Sequence, residues 1–122
     1  MTTNKLLYIV GAYSGDIQSN IKEAEKVSIN LIANGFHVIT PHKNTSGYEK
    51  YEDGNITYET WIDMDIDILS RCDAVYVMQN SKNSNGAFRE IDFARKNNIP
   101  LIYEELHPSQ NFTLSEYESW FE

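Results

Sequence analysis

At 122 residues, with 41% hydrophobic and 23% charged side chains, the chain is one globular domain able to bury roughly two-thirds of its unfolded surface, which excludes two domains, a disordered chain and a collagen-like repeat. Ten Lys and Arg against 18 Asp and Glu leave a net charge of −8, a field that repels phosphate backbones and anionic lipid, so no polymeric nucleic acid is expected as a partner. Cys72 is the single cysteine, which excludes an intrachain disulfide, a cysteine-rich metal site and a CxxC redox pair.

The apolar run Leu6 to Val10, stopped by Gly11, predicts a strand buried on both faces. From Ile17, apolar residues recur at Ile21, Ala24, Val27, Leu31 and Ile32 with charges between them, and Asn34-Gly35 ends the pattern as a helix stop. Phe36, Val38 and Ile39 predict a second strand closed by Pro41. Residues 42–54 have no period and read as a loop, longer than usual and of the kind that often carries function. A second helix is predicted over about Ile56 to Cys72, a third strand over Ala74 to Met78, a polar loop over Gln79 to Gly86, a third helix over Ala87 to about Asn97, and a fourth strand over Pro100 to Tyr103. Thr113 with Glu116 spells a capping box that opens a last short helix inside the acidic segment 104–122. No segment approaches the ~20 apolar residues of a membrane span, and Met1 to Lys5 lead into a strand pattern instead of a signal-peptide core, so no membrane and a cytoplasmic address are expected.

Apolar strands alternating with amphipathic helices predict a doubly wound, Rossmann-like or flavodoxin-like α/β domain, with a parallel sheet of four to five strands covered by helices on both faces. Ligands bind such sheets beyond the carboxyl ends of the strands, where strand order reverses, so Gly11 to Asp16, Pro41 to Asn55 and Gln79 to Gly86 are the loops expected to build a site.

Two acids break their local pattern. On a helical wheel Asp65 falls within the apolar stripe of Trp61, Ile68, Cys72 and Tyr58, whereas Asp63 and Asp67 fall on the far side, with Asp67 and Arg71 spaced to pair. A carboxylate on a core-facing stripe either caps a neighbouring loop at the stripe's edge or opens into a cleft. Glu90 falls between Phe93 and the pair Ala87 and Ala94, half-buried and about one turn from a helix start at Gly86, where the macrodipole favours its ionised form. Such a group suits nucleophilic catalysis, or it merely balances the dipole. The Asp63-Asp65-Asp67 spacing is not a calcium loop, because Ile68 stands where that loop needs Gly and Ala74 where it needs Glu; neither a metal nor a cofactor is expected.

The loop GAYSGD (11–16) matches neither GxGxxG nor GxxxxGK[ST], but its glycines and Ser14, next to a helix N-terminus, allow close approach of an anion or a sugar hydroxyl. His42, after Pro41 at the strand-end edge, is placed to touch a bound ring, whereas His37 inside a strand is read as structural and His107 signals little. Cys72 is read as inert packing.

In order, YIVGAYSGD, then Pro41-His42, then Asp65 eight residues before Asp73, then SNGAFRE ending at Glu90, resemble the nucleoside 2-deoxyribosyltransferase-like family over about residues 5–103, with the acidic end outside the match. The resemblance implies that Glu90 is the nucleophile that attacks an anomeric carbon and holds a covalent glycosyl intermediate. It also implies that Asp65 contacts the sugar or base and assists proton transfer, that Gly11 and Tyr13 line a nucleoside pocket, and that Ser84 and Gly86 hold the 5′ side. A small-molecule nucleoside or nucleotide and a homo-oligomer are the implied partners, with a second base or water as acceptor. Nucleotide-hydrolysing relatives place an Arg in the first loop for a 5′-phosphate; here that loop carries Tyr13, Ser14 and Asp16 and no cation. The alternative reading is a non-catalytic module that binds a nucleotide-like molecule in the same cleft.

Overall fold

A computed structural model describes residues 4–45, 47–51 and 55–110. Four strands, β1 (Leu6–Val10), β2 (His37–Ile39), β3 (Ala74–Val77) and β4 (Leu101–Tyr103), form one parallel sheet in the order β2-β1-β3-β4. Central β1 pairs Tyr8 with Ile39 on one side and with Val75 on the other, and four of its five residues are buried. The doubly wound α/β architecture is therefore observed. Alternation along β1 sends Leu7 and Ile9 to one face, where they pack with Ala24, Val27 and Leu31 of α1 (Ile17–Ala33). Tyr8 and Val10 go to the other face, against Leu69 of α3 (Tyr58–Leu69) and Ala87 and Ala94 of α4 (Asn85–Lys96).

The helix boundaries follow side-chain caps. Asp16 accepts from the Ser19 N–H at 3.2 Å to start α1, and Gly35, at φ +97°, leaves it in the left-handed conformation that glycine adopts without a steric penalty. Thr57 accepts from the Thr60 N–H at 3.2 Å, so α3 begins at Tyr58 and not at Ile56; it ends at Leu69, short of Cys72. Ser84 accepts from the Ala87 N–H at 3.2 Å, and α4 accordingly starts two residues before the expected Ala87, with Gly86 inside its first turn.

The segment read as plain loop contains two short helical pieces. Pro41–Asn44 forms the single turn α2, with Pro41 at its first position, where a missing N–H costs nothing, and a 3-10 turn covers Tyr48–Lys50. The polar loop after β3 likewise holds a 3-10 turn, Gln79–Asn83. The helix expected from Thr113 lies outside the described residues, and among those that are described no helix is long and apolar enough to cross a membrane.

Since β1 connects outward to β2 through α1, and the chain then crosses back to β3, strand order reverses between β1 and β3. The three strand-end loops and the N-terminal end of α4 converge there.

Candidate active site

A cavity of about 680 Å³ opens at that switch point, a size suited to a small organic ligand. All eight residues singled out from the sequence line it. Gly11, Tyr13 and Ser14 come from the loop after β1, His42 from α2, Asp65 from α3, Ser84 from the cap of α4, and Gly86 and Glu90 from α4 itself. Among the described residues, no Lys or Arg lines the cavity.

The wheel separates the three aspartates as expected. Asp63 and Asp67 are exposed, Asp67 meets Arg71 at 3.4 Å, and Asp65 is half-buried in the cavity wall. Burial pushes its carboxyl up to about 6.

Glu90 is more deeply buried than the sequence suggested, at 8% exposure. The expectation that the helix dipole keeps it ionised is overturned: burial pushes its carboxyl up to about 7, the nearby Asp65 adds to the rise, and a hydrogen bond from Tyr8 partly opposes both. The physical reason is position. Glu90 is the sixth residue of α4, beyond the first turn in which the dipole acts, and desolvation dominates.

Tyr8 is the residue the sequence reading missed. It sits in the middle of β1 at 0% exposure, and its hydroxyl donates to Glu90 Oε2. Burial, followed by the Glu90 charge, pushes the phenol well above its ordinary range, so Tyr8 stays a donor. The signal was a tyrosine inside an otherwise aliphatic buried run, since a buried phenol needs a polar partner. Tyr58 and Trp61, read as part of an apolar stripe, also line the cavity and with Ile62 add an aromatic and aliphatic wall beside Asp65.

The first loop is held by its neighbours. Asn20 Nδ2 donates to the carbonyls of Tyr13 at 3.0 Å and Ser14 at 2.9 Å. His42 is buried, its Nε2 lies 2.9 Å from the Ala12 carbonyl, and its ring centroid is 6.2 Å from that of Tyr13. Burial lowers its pKa, which keeps the ring neutral. His37 is an exposed residue of β2, and His107 lends its carbonyl to the Tyr76 hydroxyl at 2.6 Å; neither lines the cavity. The buried Cys72 thiol is pushed up to about 11, first by burial and then by Asp73, which suits packing and not reactivity.

Gly11 is dictated by contact. A Cβ there would stand 2.7 Å from Met78 Sδ, 3.1 Å from Asn80 Oδ1 and 3.4 Å from His42 Cε1. Gly11→Ala is expected to cost on the order of 1–3 kcal/mol of stability, read from urea unfolding, because the buried Met78 has to repack. An unchanged midpoint would contradict this packing.

The family model for a domain of unknown function, DUF7768, matches residues 5–104. The chain belongs to this family. No curated protein matches the sequence. Among solved structures, this DUF7768 domain is similar to a 2-deoxyribosyltransferase from the psychrotolerant bacterium Bacillus psychrosaccharolyticus, described as a biocatalyst for the synthesis of antiviral and antitumoral nucleosides. The TM-score is 0.61 with 16% identity, over 80% of this chain and 70% of that one. At that identity the likeness shows a shared α/β fold.

Proposed function

We propose that this domain cleaves or transfers at the N-glycosidic bond of an unphosphorylated nucleoside, through a covalent glycosyl ester on Glu90. The observation that carries the reading is the meeting of two acids from separate helices in one cavity, with the Tyr8 hydroxyl donating to the buried one. The similarity in fold to a 2-deoxyribosyltransferase supports it from outside the residue argument.

In the first half-reaction a Glu90 carboxylate oxygen attacks the anomeric carbon as the bond from that carbon to the base nitrogen breaks. The departing base takes a proton from Asp65, and the glycosyl ester forms. In the second half, water or another base attacks the same carbon, gives its proton to Asp65, and frees Glu90. The chemistry therefore needs one proton shared by the pair, placed on Asp65. With burial raising Glu90 to about 7 and Asp65 to about 6, the pair holds one proton near neutral pH, and the productive arrangement is the one that places it on Asp65. The Tyr8 donation and the positive charge that develops on the sugar both favour the ionised Glu90 it requires.

The absence of Lys and Arg from the described lining residues, beside two acids and a neutral imidazole, supports a substrate without a 5′-phosphate. A cytoplasmic, homo-oligomeric protein belongs to the same proposal.

The test is incubation with a 2′-deoxynucleoside and a second free base, followed by chromatography. A new nucleoside, or base release without one, is the expected result, with the 5′-monophosphate the poorer substrate. A raised melting temperature with the nucleoside returned intact would favour a binding module instead.

Tyr8→Phe tests the partner of Glu90. Loss of the donation raises the Glu90 pKa further, so turnover at pH 7 falls about 10-fold or more and the acid side of the pH profile moves upward. A profile identical to wild type would remove Tyr8 from the chemistry.

A further inference from the structure

Asn80 lies outside the cavity wall, on the 3-10 turn that follows β3, yet it touches the loop that forms that wall. Its Oδ1 accepts from the Ala12 N–H at 2.9 Å, and its Nδ2 donates to Glu23 Oε2 of α1 at 3.0 Å. Glu23 accepts only, so it fixes which way the amide faces and turns the oxygen toward Ala12. The turn beneath is itself held: the Gln79 N–H donates to Glu104 Oε1 at 2.8 Å, and the buried Ser81 hydroxyl donates to the Met78 carbonyl at 2.7 Å.

On the other side of Ala12, its carbonyl meets His42 Nε2 at 2.9 Å. A carbonyl can only accept, so the proton is on Nε2. Nδ1 is buried and has no hydrogen-bond partner among the described residues, as fits the unprotonated nitrogen of a neutral ring. Both peptide groups flanking the Ala12 α-carbon are thus occupied, one by Asn80 and one by His42, and the three strand-end loops are joined through this residue.

We propose that Asn80, oriented by Glu23, is a positioning residue that holds Ala12 so that its carbonyl fixes the His42 ring in the cavity wall with Nε2 protonated. The role is independent of glycosyl chemistry and applies to whatever ligand the wall meets.

The direct readout is the His42 ring in ¹⁵N-labelled protein. Wild type is expected to show ring nitrogen shifts of a single tautomer and an imidazole N–H proton protected from exchange. In Asn80→Ala the shifts move toward tautomer-averaged values and that proton signal is lost. Asn80→Asp keeps the acceptor for Ala12 but sets a carboxylate against Glu23, and gives an intermediate loss. The double variant Asn80→Asp with Glu23→Gln reverses the direction of the bond between the two side chains and restores the wild-type signals. Unchanged His42 signals in folded Asn80→Ala would overturn the proposal. So would a folded double variant no better than Asn80→Asp alone, and this comparison decides the matter should the alanine variant not fold.

A kinetic arm rests on the nucleoside reading: with 2′-deoxyinosine, Asn80→Ala raises KM about 10-fold with kcat within about threefold. Wild type that does not act on nucleosides contradicts that reading and leaves the NMR result to decide the role of Asn80.

Discussion

Replacing Glu90 with Gln is expected to lower glycosyl transfer by at least about 10³-fold while leaving the protein folded. Gln keeps the size of the side chain and an oxygen for the Tyr8 hydroxyl, so the hydrogen bond to β1 survives and only the nucleophile is lost. Stability should change in a defined sense. The native pKa of Glu90 is raised from 4.5 to about 7, so the folded state holds this proton more tightly than the unfolded chain does. The resulting stabilisation is complete below pH 4.5 and is lost as pH rises through 7. The variant lacks this dependence. Its unfolding free energy should therefore fall less than that of wild type between pH 5 and pH 8, by an amount on the order of 3 kcal/mol at most. A variant with wild-type turnover would end the assignment of Glu90 as nucleophile. A variant that loses activity only by unfolding would be exposed by its circular dichroism spectrum.

Asp65→Asn carries the second large effect, a loss of about 10²–10³-fold at pH 7, with a change in the shape of the pH profile. Wild type needs one proton on the pair, so its rate should peak between the two apparent pKa values near 6 and 7 and fall on either side. The amide can neither donate that proton in the first half-reaction nor remove one in the second. It also removes a negative charge that raises the pKa of Glu90, so the remaining activity should rise with pH to a plateau, its midpoint below that of Glu90 in the wild type. Substrates whose leaving base needs no protonation should be the least affected. A wild-type bell-shaped profile in Asp65→Asn would assign the proton to another group.

Much of this was written in the pattern of the chain. The run from Leu6 to Val10 and the residues Ala74 to Val77 are buried strands because both faces of a parallel sheet are covered, and that demands continuous apolar sequence. Asp65 was legible because a charge inside a helical apolar stripe needs a reason, and the cavity supplies it. The direction of the Glu90 pKa shift was not legible. Local sequence reports distance from a helix end, whereas desolvation depends on how α4 is pressed against β1 and α3, a matter of packing among three distant segments. Tyr8 and Asn80 escaped for a related reason: each makes its decisive contact with a residue 82 or 68 positions away. The short helix Pro41–Asn44 was hidden because one turn has no period to read, and its Pro41 served equally well as the end of a strand.

The central claim is tested most directly by mass spectrometry of the wild-type protein quenched with acid during turnover of a 2′-deoxynucleoside in the absence of a second base. The account predicts a fraction of the protein heavier by one deoxyribosyl group, with the adduct on the peptide that contains Glu90. No adduct should form in Glu90→Gln, and none should remain after a free base is added. An unmodified protein that nonetheless releases base would place the chemistry on a path without the ester, and an adduct on any other side chain would contradict the role given to Glu90.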